Sequence, residues 1–432
     1  MRIVIRLKRH LNMVRVSVFL VTVAVIAGMA GCGPTPVQYE LTIASTSGGS
    51  AITPGQGVFT YDEGTVVNLV AEAEQGYRFV NWTGDVGTIA DTNDATTTIT
   101  MNGDYSITAN FAIATEIRDW YDLDAIRYNL DPIRYSLVGN YTLMNDLDST
   151  TTGYEELASP TANEGKGWEP IGILGMEFDG TFDGQGYEIS ELLINRPDDE
   201  VVVGLFGCVG GLGVVRNIGM VNADITGGFG VGSLAGVNTG EVTGCYATGS
   251  VSGEWAVGGL AGAVCSALLG CPGGPGILSK SYAIVNVIGI EQVGGLVGIN
   301  DSPVTNCYSI GNVTGNSSVG GLVGVSVGTV TNCYSTGSVT GNTSTGGLVG
   351  ENTISHDPVE GTVSNSFWDT ETSGQGSSAG GTGKTTAEMQ DITTFSGATW
   401  DIVAVANPGI RNTSYIWNIV DDMTYPFLSW EP

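Results

Sequence analysis

One short phrase returns at a fixed interval between residues 229 and 350, and it restricts the chain to very few folds. It reads GVGSLAG, AVGGLAG, QVGGLVG, SVGGLVG and STGGLVG, with leucines at Leu234, Leu260, Leu296, Leu322 and Leu348. Three of the four intervals are 26 residues; the other, from Leu260 to Leu296, is 36 and carries an insert of ten. A second phrase keeps step with the first: CYATGSV from Cys245, SYAIVNV from Ser281, CYSIGNV from Cys307 and CYSTGSV from Cys333. Such self-similarity marks a stack of like units, none of which can bury its apolar face alone. Within one unit, GLVGV, VTNCYS and GSVTG in 321 to 341 read as three short strands. Glycine and asparagine positions that admit left-handed backbone separate them. None of the three reads as helix.

That amount of chain matches one coil of a parallel β-helix, in which successive coils hydrogen-bond about 4.8 Å apart and equivalent residues stack into ladders. The expected fold is all-β: a small antiparallel β domain, then a right-handed parallel β-helix of about 26-residue coils. A helical cap is expected at its N-terminal end and an aromatic-rich cap at its C-terminal end. The ladders predict which residues face inward. Leu205 precedes the five repeat leucines in the same phrase, so the six form one core ladder. Ile218 stands where later coils have cysteine, which makes that position interior, and Gly219 stands where they have tyrosine, which turns the aromatic outward or into a corner. Leu322, Val325, Val330 and Val339 complete the expected core of their coil, each stabilising by roughly 1.5 to 3 kcal/mol if fully buried.

The recurring glycine–leucine phrase followed by N-C-Y-S-x-G-x-V resembles the GLUG motif of bacterial and archaeal surface proteins, over about 203 to 370. That resemblance implies an exported β-helical module linked to adhesion or biofilm, with no generally established catalytic residues. Upstream, YELTIA, TVVNLVAE, TTTITM and YSITANF alternate as strands of a separate β domain, 38 to 113. Its GYRFVNWTGDV, with Tyr77, Phe79, Trp82, Gly84 and Asp85, resembles the divergent internalin-type B repeat, which implies a spacer or adhesion module. Those aromatics suit either a sugar platform or the core of a small domain.

The first 15 residues carry Arg2, Arg6, Lys8, Arg9 and Arg15 and no acid, and an apolar run from Val16 to Ala30 ends in Met-Ala-Gly-Cys32. This is an export signal, residues 1–31, and its ending resembles a lipobox whose Cys32 would be lipidated. An uncleaved anchor is the alternative, but the apolar run is short for a span of about 20 residues. Removing the signal leaves ten basic residues against 44 acids, a net charge of −34. A chain that acidic repels nucleic acid and anionic membranes, so membrane contact is expected through the lipid alone. Between 203 and 350 the acids are sparse, namely Asp224, Glu241, Glu254, Glu291 and Asp301, and the coils present Ser, Thr, Asn and Gly. Such a surface suits a glycan or another cell-surface protein, and it equally suits a solenoid that needs only to stay soluble.

The tether is 32–37. Residues 114–202 hold the N-terminal cap and first coils, in which DWYDLDAIRYNL (119 to 130) has helical spacing. The C-terminal cap spans 371–432, with Trp400, Trp417, Tyr425, Phe427 and Trp430, and Thr385 to Glu388 has the spacing of a capping box. Cys265 and Cys271 bracket the insert and suit a local disulfide in an exported protein. Cys307 and Cys333 fall in adjacent coils, where poorly directed side chains favour a buried thiol ladder over a bridge.

Catalysis has little to draw on. The histidines are His10 and His356, so there is no Cys/His metal set, and no cofactor is implied. GTGKTT at 381 to 386 lacks the glycine a phosphate loop needs, having Ser378 there. Asp179 and Asp183 in FDGTFDG are the best pair for acid–base work or Ca²⁺, although Asp-Gly is also a turn signal. The sequence therefore favours a non-enzymatic lipoprotein acting in adhesion or envelope and glycan contact. A polysaccharide-degrading β-helix and a purely structural envelope component are the alternatives.

Overall fold

The computed structural model describes residues 36–74, 77–113, 115–131, 136–198, 202–265, 274–353 and 361–432. Cys32 with its signal segment, Cys271 and both histidines lie outside them.

The repeat folds as a parallel β-solenoid. From Ser317 one coil runs through strands Ser317–Gly320, Val323–Ser326, Thr329–Thr331, Tyr334–Ser335 and Val339–Thr340. Each pairs in parallel with its counterpart 26 residues back: Val323 with Val297, Tyr334 with Tyr308, Val339 with Val313. The strands assemble into sheets of five, six, nine and eleven members, so a coil has four faces where three strands were expected. The additional face is the five-stranded sheet, in which Ser317–Gly320 forms a strand of its own; VTNCYS in turn bends at Asn332, so that Tyr334–Ser335 joins Val339–Thr340 in the eleven-stranded sheet. Asn217, Gly244, Lys280, Asn306, Asn332 and Asn365 occupy this corner in successive coils, all with φ between 47° and 65°. Left-handed backbone costs a non-glycine residue roughly 1–2 kcal/mol. Asparagine adopts it more readily than most, which explains its recurrence there.

The glycines of the repeat phrase mark close approaches of backbone to backbone. A Cβ on Gly321 would lie 2.1 Å from the Gly347 carbonyl oxygen of the next coil, and one on Gly324 would lie 2.6 Å from the Val293 amide of the preceding coil. Between these glycines Leu322 points into the core. The leucine amides carry the ladder, with Leu296 N–H donating to Leu322 O and Leu322 N–H to Leu348 O, both at 2.9 Å. Leu205, Leu234, Leu260, Leu296, Leu322 and Leu348 are all buried in one continuous core, with Ile218, Val330 and Val339. Val325 departs from expectation. It is buried, but it continues the ladder of Ala263 and Ile299, which with Val237, Cys208 and Ala256 form a separate small core, while Val323 takes the place in the main one.

The cysteine corner is a hydrogen-bonding device. Cys333 donates to Thr331 O at 3.2 Å and its sulfur accepts from Cys307 N–H at 3.4 Å. Ser281 and Ser366 do the same in their coils, each donating to the carbonyl two residues back and accepting from Cys245 and Cys333 N–H, both at 3.1 Å. Cys245, Cys307 and Cys333 are free thiols, and burial pushes Cys245 up to about 12 and Cys307 well above the usual range. Serine already fills this role twice, so Cys333→Ser should leave the unfolding midpoint nearly unchanged. Cys333→Ala strands the Cys307 amide, while Thr331 O keeps the bond from Asn306 N–H at 3.0 Å, and should cost about 1–3 kcal/mol in urea unfolding.

The insert leaves between Val264 and Ile277 without disturbing the ladders. Ala261–Val264 pairs with Val297–Asn300, and Ile277–Ser279 pairs with Glu241–Thr243. At its edge Cys265 is buried.

Both ends of the solenoid are closed. Helix Trp120–Ala125 is capped by Asp119, whose carboxylate accepts from Asp122 N–H at 2.9 Å, and Trp120, Leu123 and Ile126 enter the main core. It is shorter than expected because Ile126–Tyr128 tightens into a 3₁₀ turn and Leu130–Asp131 pairs as a strand with Ser136–Leu137. At the other end Ser378 Oγ accepts from Val349 N–H at 2.8 Å, and Thr382–Lys384 adds a strand to Phe367–Asp369. The GTGKTT segment is thus an edge strand followed by a helix, Thr386–Met389, with a complete Thr385/Glu388 capping box. The remaining C-terminal residues extend this closure into a strap along one side of the coils, built on Ile402–Ala404, Trp417–Ile419 and Phe427–Leu428.

The N-terminal domain has a four-stranded and a three-stranded sheet, antiparallel except where Gln38–Ser45 runs parallel to Tyr105–Ile113. Trp82 is 1% exposed and packs on Phe79 at 5.7 Å, which in turn meets Phe111 at 5.8 Å. Phe79 and Trp82 are therefore core, whereas Tyr77 remains exposed.

Candidate binding site at the end of the tyrosine ladder

The outward residues of the eleven-stranded sheet form a column of aromatic rings. Tyr246, Tyr282, Tyr308 and Tyr334 stack at 5.0, 4.8 and 4.9 Å with planes within 10° of parallel. Isolated aromatic pairs prefer offset or edge-to-face contact. Here the spacing is that of the strands that carry the rings, so the backbone imposes the stack.

The strap covers this column. Trp417 lies 6.0 and 5.9 Å from Tyr308 and Tyr334, and Trp430 lies 6.3 and 5.8 Å from Tyr246 and Tyr282. The phenols find partners beneath it: Tyr308 donates to Glu431 Oε1 at 2.9 Å, Tyr334 to Pro426 O at 2.5 Å, and Tyr246 to Glu188. Burial, reinforced by the Glu431 carboxylate, drives Tyr308 and Tyr334 well above the usual phenol range. Burial likewise pushes Glu431 up to about 7, against the hydrogen bonds from Leu428 N–H and Tyr308 that favour its ionised form.

The column stops where Gly219 replaces tyrosine, and Tyr246 leans over that glycine. Beside it opens a cleft of about 500 Å³ whose lining includes Asp183, Asn217, Gly219, Tyr246 and Trp430. This is within the range of small-molecule sites, roughly 300–1,000 Å³.

Asp183 is held on all sides. It accepts from Arg216 Nε at 2.9 Å, from Asn217 Nδ2 at 3.1 Å and from Gln185 N–H at 3.0 Å. Burial raises its pKa, but these hydrogen bonds and the Arg216 charge outweigh it, and the carboxyl sits below its ordinary range. A general acid needs a raised pKa, so Asp183 is poorly suited to that role. Asp179 accepts from Leu212 N–H at 3.2 Å and is absent from the linings of both clefts that contain Asp183. The two acids thus serve separate corners. Among the described residues no group of His, Cys, Asp and Glu is arranged to hold a metal ion. Of the cleft residues, the gap at Gly219 was visible in the sequence, whereas Asn217 and Trp430, 213 positions apart, carry no joint local signal.

These features define an N-terminal β domain followed by a strapped β-solenoid. Residues 39–115 match the divergent InlB B-repeat domain family, and residues 289–314 and 315–340 match the GLUG motif. Two curated relatives match part of the chain. A protein named "Putative Gly-rich membrane protein" from Evansella cellulosilytica is 37% identical over 98 residues, 23% of this chain and 10% of the relative. Halomucin from Haloquadratum walsbyi is 36% identical over 87 residues, 20% of this chain and 1% of the relative. The match thus spans at most about a tenth of either relative's length. No solved structure matches the chain significantly. Surface repeat families of this kind are consistent with a cell-surface role. Among the described residues no helix is long and apolar enough to cross a membrane.

Proposed function

We propose that the protein is a non-enzymatic surface lipoprotein in which Cys32 carries the anchor, the N-terminal β domain acts as spacer, and the solenoid contacts a surface glycan or another cell-surface protein. The observation that carries the non-enzymatic reading is the state of the best acid pair: Asp183 is locked to Arg216 and Asn217, and Asp179 is tied to a backbone amide elsewhere. The polar ladders of the coils support a contact role, since Asn316 and Asn342 join at 2.7 Å on the exposed surface and the half-buried Thr226 and Ser252 join at 2.9 Å. A bridge from Cys265 to Cys271 would pin the insert.

A glycan array probed with the purified chain, run beside an assay for new reducing ends, tests this reading. Binding without cleavage is expected, and Asp179→Asn with Asp183→Asn should release no hidden activity. Polysaccharide cleavage by the wild type that falls about 10²-fold or more in that double variant, with circular dichroism unchanged, would establish an enzyme instead. Cys32→Ser should move the protein out of the membrane fraction or leave it unprocessed; unchanged fractionation and processing would remove the anchor from the proposal.

A further inference from the structure

One open face of the solenoid carries no charge and is apolar at its centre. We propose that it is a self-association surface, on which a second copy of this chain docks face to face with the two solenoids side by side and pointing the same way. The inference goes beyond the surface-contact reading above and does not depend on it.

The face is the outer side of the eleven-stranded sheet beyond the tyrosine column. Side chains alternate along Tyr282–Ile288, so Tyr282 lies under the strap while Ile284, Asn286 and Ile288 point outward beyond it. Ile284 and Ile288 are 43% and 59% exposed, and Ile310, beside Ile284 in the following coil, is 36% exposed. Thr248, Ser252 and Thr314 continue these rows in the neighbouring coils. No acid or base occurs within 246–252, 282–288, 308–314 or 334–340. In a chain with 44 acids against 15 bases, two copies repel one another, and a charge-free face is where they can meet at least electrostatic cost.

The relief of the face points to the same partner. Its rows repeat at the strand spacing, about 4.8 Å, and another sheet of the same period is what fits them. Two sheets packed in this way lie about 10 Å apart. The strap, a separate layer on the tyrosine column, stands above the same face by about that distance and so restricts the docking. Turning the second copy about an axis along the strands would drive strap into strap. Turning it about an axis along the solenoid lays each strap beside the other copy's corner at Ile290, which is 49% exposed. Asn286 then meets Asn286 of the second copy, and Ile284 of each copy faces Ile288 of the other, the reciprocal pattern of a two-fold contact. Both N-terminal ends lie on one side, as two chains held on one membrane require. Four coils by about 20 Å of strand give on the order of 400 Å² per copy. A standard interface buries about 800 Å² on each side, so the expected dimer is weak and concentration-dependent.

Sedimentation velocity of the purified full chain, from about 1 to 500 µM at low and at high salt, tests the inference. A reversible dimer is expected, and it should tighten as salt screens the acids. Ile284→Lys and Ile288→Glu should each weaken it at least about tenfold, with the thermal midpoint unchanged because both side chains are exposed. The two substitutions combined in one chain should restore the dimer, because the opposite charges then face each other across the axis. A chain that stays monomeric throughout overturns the inference and leaves the face to a different partner. A dimer that neither single variant weakens forms elsewhere, which also overturns it. A double variant no better than the single ones overturns the parallel arrangement. None of these outcomes bears on the glycan array, so the two readings fail separately.

Discussion

Leu322→Asp should destabilise the solenoid by on the order of 3–5 kcal/mol, the largest effect expected of any single change in the coils. Leu322 is fully buried in the shared core, and its amide and carbonyl lie in the ladder between Leu296 and Leu348. A carboxylate there would have no cation within the core, so it must either stay charged in apolar surroundings or take up a proton at a cost. Because each coil buries its apolar face only against its neighbours, the loss should spread. Hydrogen exchange at the Leu296 and Leu322 amides should accelerate together, ahead of global unfolding in urea. Leu322→Ala, which leaves only a cavity, should cost about 2–5 kcal/mol with less spreading. Unchanged exchange at Leu296 in the aspartate variant would show that the coils are energetically independent and that the shared-core account is wrong.

The solenoid was legible because its determinants are local and repeated. A 26-residue period fixes which residues stack, and one ladder position with both Ile218 and Cys245 fixes which way it faces. The number of faces was harder to read. The strand Ser317–Gly320 abuts GLVGV with no turn signal that sets it apart as a face of its own, and only the left-handed torsion at Asn332 divides VTNCYS, a property that asparagine permits but does not dictate. Val325 was misplaced for a related reason. Val323 and Val325 are both buried valines of one strand, the first in the main core and the second on the ladder of the separate small core, and polarity alone cannot separate two apolar environments. The strap and its cleft were the least legible. The aromatic density after residue 400 signalled burial, but not that the rings would lie along the column formed by Tyr246 to Tyr334, more than sixty residues upstream. Such contacts have no periodic signature.

The strap should hold more tightly at pH 5 than at pH 8, and Glu431→Gln should remove most of the difference. Glu431 rises from an ordinary 4.5 to about 7 because burial against the tyrosine column disfavours its charge. Between those values the folded chain holds a proton that the unfolded chain has released, so stability falls as pH rises across this interval. The contribution is complete below about pH 4.5 and is lost as the pH passes through about 7. The shift corresponds to on the order of 3 kcal/mol. The carboxyl accepts from Tyr308 at 2.9 Å and Leu428 N–H at 2.5 Å through the same oxygen, Oε1, an arrangement that the carbonyl oxygen of a glutamine can keep. Glu431→Gln should therefore match the wild type at pH 4.5 and exceed it by up to about 3 kcal/mol at pH 8. Protease cleavage within 386–432 and quenching of tryptophan fluorescence by iodide, followed from pH 4.5 to 8, would measure strap release. The comparison with the variant separates this residue from the general repulsion among 44 acids, which also grows with pH. A wild-type strap that becomes better protected as pH rises, or a glutamine variant that follows the same curve, would mean that Glu431 is already ionised in place and that its contacts with Tyr308 and Leu428 outweigh its burial.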